Sequence, residues 1–137
     1  MVHQEILKLR TTRRGTLEIT HEIAAIVSRA NVQAGLVNVF VRHTSCSVII
    51  TENADPSVRR DLEMLAQRWA PDGDADYVHD TEGEDDMAAH ARAVLTAASL
   101  NVPIANGRML LGTWQGIFLW EHRTHAHARE IVVTITG

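Results

Sequence analysis

The stretch LVNVFVRHTSCSVIIT, Leu36 to Thr51, carries the clearest fold signal in the chain. Two runs rich in β-branched and aromatic residues, Val37, Val39, Phe40 and Val41 in the first and Val48, Ile49 and Ile50 in the second, read as strands. Between them lies the polar insertion His43-Thr44-Ser45-Cys46. Toward the N-terminus, Val2 to Thr12 reads as another strand and Arg13-Arg14-Gly15 as a turn. Thr20 is placed to cap a helix whose Ile23, Ile26, Val27 and Ala30 follow helical spacing, and Asn31 to Gly35 ends it. Toward the C-terminus, Asp55-Pro56 supplies an N-cap and a first helical residue, and Val58, Leu62, Leu65, Ala66 and Trp69 form the apolar stripe behind them. Pro71-Asp72-Gly73-Asp74 stops that helix.

Tyr77 to Gly83 reads as a loop, and Glu84-Asp85-Asp86 suits a helix N-terminus, where negative charge complements the macrodipole. The expected inward face of this third helix is Met87, His90, Ala91, Val94 and Ala98. Strands are predicted over Leu100–Ile104, Met109–Leu111, Ile117–Arg123 and Ile131–Thr136, with a turn at Asn106-Gly107 and a histidine-rich connection before the last. Three helices and about six or seven strands, the late ones joined by short turns, define an α+β fold: one compact domain over residues 1–137 with a largely antiparallel sheet or sandwich.

Composition narrows the function. The chain has 137 residues, 45% hydrophobic and 22% charged, the balance of a single globular domain. A net charge of −4 gives no general affinity for nucleic acid or anionic lipid. Eight histidines stand against one cysteine, which excludes a disulfide-stapled fold and a multi-cysteine zinc site within the chain. The charged N-terminal segment lacks a secretory h-region, and no run reaches the roughly 18 apolar residues of a membrane span. A cytoplasmic location is therefore expected.

The histidines divide by their surroundings. His90 lies on the predicted apolar helix face, as a hydrogen-bonded core residue or as a ligand reaching into a pocket. By period two, His122 shares a strand face with Phe118 and Trp120, and His43 one with Val39 and Val41. His79 sits in an acidic loop, as part of a solvated charge run or placed with Glu82 over His90. Three imidazoles plus a water would suit zinc or a similar divalent ion. His125 and His127 read as plain residues of a hairpin tip, His3 and His21 as surface residues, and Cys46 as a small buried side chain. Glu52-Asn53-Ala54-Asp55 offers free backbone N–H groups where an anion can dock. Arg59 and Arg60 are expected to face solvent. Trp114, in the glycine-punctuated Gly112–Gly116 segment, suits either ring stacking or packing.

Taken in order, His43-Thr44-Ser45, Glu52 through Leu62, His79 with Glu82-Gly83, Asp86-Met87 with His90, and Gly107-Arg108 through Gly112-Thr113-Trp114-Gln115-Gly116-Ile117 to Glu121-His122-Arg123 closely resemble the YjbQ-like family, also called the secondary thiamine-phosphate synthase family. The resemblance runs from the first strand to the terminal Val133–Gly137. It implies a compact α+β fold assembled as a homotrimer, and a weak transferase activity. That reaction joins hydroxymethylpyrimidine diphosphate to thiazole phosphate with loss of pyrophosphate. It further implies a divalent metal at His79, His90 and His122, zinc-like or accompanied by Mg²⁺ on the diphosphate. His43, Ser45, Asn53, Asp55, Glu82 and Gln115 would line the same pocket. The expected partner is a small phosphorylated metabolite. Two other readings stand beside it: a metal-dependent hydrolase of such a metabolite, and a non-enzymatic metal- or ligand-binding trimer.

Overall fold

A computed structural model describes residues 1–137 as three helices and eight strands. The order is β1 (Val2–Arg10), β2 (Gly15–Glu18), α1 (Thr20–Ala30), β3 (Ala34–Val41), β4 (Cys46–Glu52), α2 (Pro56–Trp69), α3 (Asp86–Leu95), β5 (Ser99–Ala105), β6 (Arg108–Met109), β7 (Gln115–Glu121) and β8 (Ala128–Thr136). Every strand pair is antiparallel. Five strands form one sheet in the order β1-β8-β3-β5-β6, and three form a second in the order β2-β7-β4. The α+β reading holds.

The two runs flanking His43-Thr44-Ser45 become β3 and β4, and they belong to different sheets. The polar insertion is thus the corner at which the chain leaves one sheet for the other. Between the sheets, Val37, Val39, Val102, Ile104, Ile131, Val133 and Ile135 face Cys46, Val48, Ile117 and Leu119, and α1 closes the core with Ile23, Ile26 and Val27. Burying each such aliphatic side chain stabilises the fold by about 1.5–3 kcal/mol against the entropy of ordering the chain. Of β2 only Gly15 falls in the turn expected at Arg13-Arg14-Gly15; its four residues form a strand because they pair with Phe118–Glu121 of β7.

Local signals place most ends. Asp55 caps α2 by accepting the Ser57 N–H at 2.9 Å, with Pro56 behind it. Asn31 closes α1 in the left-handed conformation, at φ 54°. Asn106 and Gly107, at φ 53° and 75°, make the tight turn between β5 and β6. Thr20 is not a cap. Its hydroxyl accepts the Ile117 N–H at 2.9 Å and donates to Glu18 at 2.8 Å, tying the start of α1 to β7.

The face expected of α3 is corrected. Val94 is 85% exposed, and the buried side chains are Asp86, Ala88, Ala89 and Arg92. Charge can face inward here because each charge meets its opposite. Arg92 Nη1 lies 2.7 Å from a Glu63 carboxylate oxygen on α2, and the Trp120 indole donates to the other oxygen at 3.2 Å. α2 and α3 therefore cover the outer face of the small sheet. This explains why β7 is buried on both sides rather than alternately. Arg59 is drawn into the same layer, its guanidinium 4.8 Å over the Phe118 ring and bonded to the Glu52 carbonyl at 3.0 Å, instead of facing solvent.

Candidate metal centre

Residues 70–85 lead from α2 into α3 and are braced from the end of β7. Asp85 accepts Arg123 Nε and the Thr124 N–H, each at 2.9 Å, and Arg123 also donates to the Glu82 carbonyl at 3.0 Å. The acids before α3 are therefore more than dipole partners: Asp85 and Asp86 are both buried. Burial alone would raise their pKa values. The Arg123 and Thr124 bonds outweigh it at Asp85, and His79, His90 and Arg123 outweigh it at Asp86, so both carboxyls titrate below the ordinary range.

Asp86 divides its oxygens between two tasks. Oδ1 faces Arg123 Nη1 at 3.0 Å, while Oδ2 faces His79 Nε2 at 2.8 Å and His90 Nε2 at 3.3 Å. One ligand atom from each of His79, Asp86 and His90 lies within 4.8 Å of the others. The imidazole centres are 5.3 Å apart. Two imidazoles bound to one tetrahedral ion through M–N bonds of about 2.0–2.1 Å have ring centres about 5 Å apart. The acid is 2% exposed, while the side chains of His79 and His90 are 47% and 31% open to solvent. Open space adjoins each ring. A cavity of about 330 Å³ lies between His79, Tyr77, Glu84 and Met87, and one of about 460 Å³ between His90, His43, Thr96 and Val94.

The tautomer of His90 follows from its surroundings. Nδ1 lies 3.1 Å from the Thr44 carbonyl oxygen, which can only accept, so Nδ1 carries the proton. With the ring neutral, the lone pair of Nε2 then points toward a carboxylate oxygen, acceptor against acceptor. Only a cation between them, a proton or a metal ion, makes that contact favourable.

His79 and His90 are thus brought together, and Asp86, which was given no ligand role from the sequence, joins them. The spacing from Asp86 to His90 is i, i+4, which places both on one side of the helix turn; that signal was available in the sequence. His122 does not join. It is fully buried, with Nε2 2.7 Å from Ser47 Oγ, and burial first, then Arg92, pushes its pKa down to about 3. β7 ends at Glu121, so the period-two face assigned to His122 is replaced by an interior position. His43 follows the end of β3, and its Nε2 accepts the Glu130 N–H at 2.8 Å. Burial lowers its pKa.

The expected pocket around these histidines is split. Ser45 accepts Arg129 Nη2 at 2.9 Å, beneath the buried Arg129–Glu121 ion pair that Thr11 also supports. Cys46 is buried, and its thiol is pushed up to about 12 by that burial. Asn53, Asp55 and Gln115 lie at the opposite end of the small sheet, because Cys46 pairs with Glu121 while Glu52 pairs with Gln115. Six strand steps separate these ends, roughly 20 Å. There Asn53 donates to the Gln115 carbonyl at 3.4 Å, the Gln115 side chain accepts the Gly112 N–H at 2.8 Å, and Asp55 caps α2. Glu52 takes the N–H groups of Ala54 and Asp55 at 2.9 and 2.8 Å, so the anion dock expected there is already filled by a carboxylate. Glu82 is exposed and contributes its backbone carbonyl to Arg123. Trp114 stands 63% exposed.

Fold and site together define a two-sheet α+β protein with a histidine–carboxylate cluster at the start of its third helix. Over residues 5–137 the chain matches the family described as UPF0047 protein YjbQ-like, and it belongs to that family. A UPF0047 protein of Synechocystis sp. is 50% identical over 98% of this chain and 92% of its own length. UPF0047 protein YjbQ of Escherichia coli O157:H7 is 41% identical over 100% of this chain and 99% of its own. A crystal structure of a YjbQ/UPF0047 protein from Clostridium acetobutylicum, described as uncharacterized, superposes with a TM-score of 0.89 at 34% identity, covering 96% of this chain and 99% of that one.

These relatives correct the activity implied by the resemblance. They are named only as UPF0047 proteins, and a further structural neighbour, from Sulfolobus solfataricus, is described as of unknown function. Nothing in them points to thiamine-phosphate synthesis or to any transferase reaction, and thiamine-phosphate synthases have a different fold. The dispersal of the expected pocket agrees with that correction. With the diphosphate substrate goes the reason to expect Mg²⁺. For location, no helix is long and apolar enough to cross a membrane.

Proposed function

We propose that this protein binds a divalent transition-metal ion through His79 Nε2, Asp86 Oδ2 and His90 Nε2. The observation that carries the reading is the acceptor-to-acceptor approach of His90 Nε2 and Asp86 Oδ2 at 3.3 Å, with the His90 proton committed to Thr44. Two imidazoles and one carboxylate suit zinc and its borderline neighbours better than Mg²⁺, which favours oxygen ligands and keeps its waters. Arg123 acts behind the ion: by engaging Asp86 Oδ1 it leaves Oδ2 as the single donor. Three protein ligands leave positions for water or a small oxygen-donor ligand, and the two flanking cavities give such a ligand room.

Elemental analysis of tag-free protein tests this. One equivalent of metal per chain is expected, falling at least tenfold in Asp86→Asn and in His79→Ala, with circular dichroism unchanged. Equal metal content in folded Asp86→Asn and wild type would overturn it.

We also propose self-assembly through the outer face of the five-stranded sheet. Ile6, Val132 and Phe40 lie side by side in register across β1, β8 and β3, and Ile6 and Phe40 are 48% and 43% exposed. No helix covers that row, and the homotrimer implied by the family resemblance would bury it.

A further inference from the structure

We infer that the tip of the β7–β8 hairpin is a second divalent-cation site, built from His125 and His127. The ring geometry carries the inference. His127 Nδ1 lies 2.9 Å from the His125 carbonyl oxygen, an obligate acceptor, so the proton is on Nδ1 and Nε2 keeps its lone pair. At His125, Nδ1 lies 3.2 Å from Thr124 Oγ1. The Thr124 hydroxyl donates to Asp85 Oδ2 at 3.2 Å, so it has only a lone pair for His125, and His125 Nδ1 must donate. Both neutral rings are therefore set in the same tautomer, with Nε2 as the free ligand nitrogen.

The two ring centres are 5.2 Å apart, tilted by 31°. This is close to the 5.3 Å of the His79–His90 pair and to the spacing of about 5 Å for two imidazoles on one tetrahedral ion. The tip is also held from both sides, which limits the ordering cost of binding. Thr11 exchanges two bonds with His127, its N–H to the His127 carbonyl at 2.9 Å and its Oγ1 accepting the His127 N–H at 3.0 Å. Asp85 accepts the Thr124 N–H at 2.9 Å on the other side. Two neutral imidazoles and no carboxylate select Zn²⁺, Ni²⁺ or Cu²⁺ over Mg²⁺ and Ca²⁺, with water completing the shell. Asp85, which anchors the tip, is the chain neighbour of the triad ligand Asp86, but the second site shares no ligand with the first. It does not depend on the triad being occupied.

Titrating the tag-free, metal-stripped full chain with Zn²⁺ tests the inference, read by calorimetry and by the ¹⁵N shifts of the histidine imidazoles. Two binding events per chain are expected, the weaker shifting the Nε2 resonances of His125 and His127. The double variant His125→Ala/His127→Ala should lose that event, its affinity falling at least ~10-fold, and keep the tighter one. Asp86→Asn should do the reverse. Unshifted His125 and His127 resonances, or a double variant that still binds two ions, would overturn the second site. Loss of the tighter event alone in Asp86→Asn bears on the triad and leaves the tip standing. His125 is exposed and His127 half-buried, and unchanged circular dichroism establishes that the double variant is folded before its zinc affinity is compared.

Discussion

Arg123 shows how much one side chain organises. It lies between two buried acids, bonded to Asp85 Oδ2 at 2.9 Å and Asp86 Oδ1 at 3.0 Å, and all three are mostly shielded from water. Removing one partner of a buried ion pair leaves an uncompensated charge, at a cost of roughly 3–5 kcal/mol. Arg123→Met should therefore lower the stability of the metal-free protein by about that amount, measured by urea unfolding in EDTA. Zn²⁺ should stabilise the variant more than the wild type, because the ion supplies part of the missing positive charge beside Asp86. An equal zinc effect in both proteins would count against a metal on Oδ2. At this scale the sequence was partly legible. His79 and His90 stood out as imidazoles in a polar loop and on a helix, but Asp86 hid behind the ordinary explanation for an acid at a helix start. Which oxygen faces which partner is set by Arg123, 37 residues downstream of Asp86.

At the scale of elements, β7 and α3 depart most from their patterns. Ile117–Arg123 is expected as one strand, with His122 on the face of Phe118 and Trp120 by period two. Instead β7 is sealed on one side by the core and on the other by α2 and α3, and His122 lies just beyond it inside the protein. Its imidazole is neutral when folded, with a pKa of about 3, and titrates near 6.5 when unfolded. The unfolded chain thus binds the extra proton between those values, so this contribution to stability is complete above about pH 6.5 and is lost progressively toward pH 3. Each pH unit inside that window costs up to about 1.4 kcal/mol for this one group. Urea midpoints between pH 6.5 and 4, taken in EDTA, should fall less steeply in His122→Gln than in the wild type. Parallel slopes would show that His122 is protonated in the folded protein. The apolar stripe of α3 misled for a related reason: Arg92 and Asp86 turn inward because Glu63 and Arg123 wait there, and Val94 is left outside.

For the molecule as a whole, the uncovered face of the five-stranded sheet carries the remaining prediction. The row Ile6–Val132–Phe40 gains from leaving water only if another copy covers it, so Phe40→Glu should shift the protein toward monomer in sedimentation velocity while its circular dichroism is kept. A wild type that sediments as a monomer would overturn assembly through this face. The sequence by itself determined the class of fold, three helices on antiparallel strands. Strand propensity at Leu36–Thr51, helical spacing in α1, the Asp55-Pro56 start of α2 and the Asn106-Gly107 turn are local effects, each contained within a few residues. The tertiary structure alone decided that β3 and β4 part into different sheets at His43-Thr44-Ser45 and that His122 is interior. It also decided that Asn53 and Gln115 stand a sheet's length away from Ser45, and that Asp86 meets His79 and His90 on one oxygen. Such outcomes depend on partners distant in the chain, and the burial of a charge is tolerable only once its counter-charge has been brought to it.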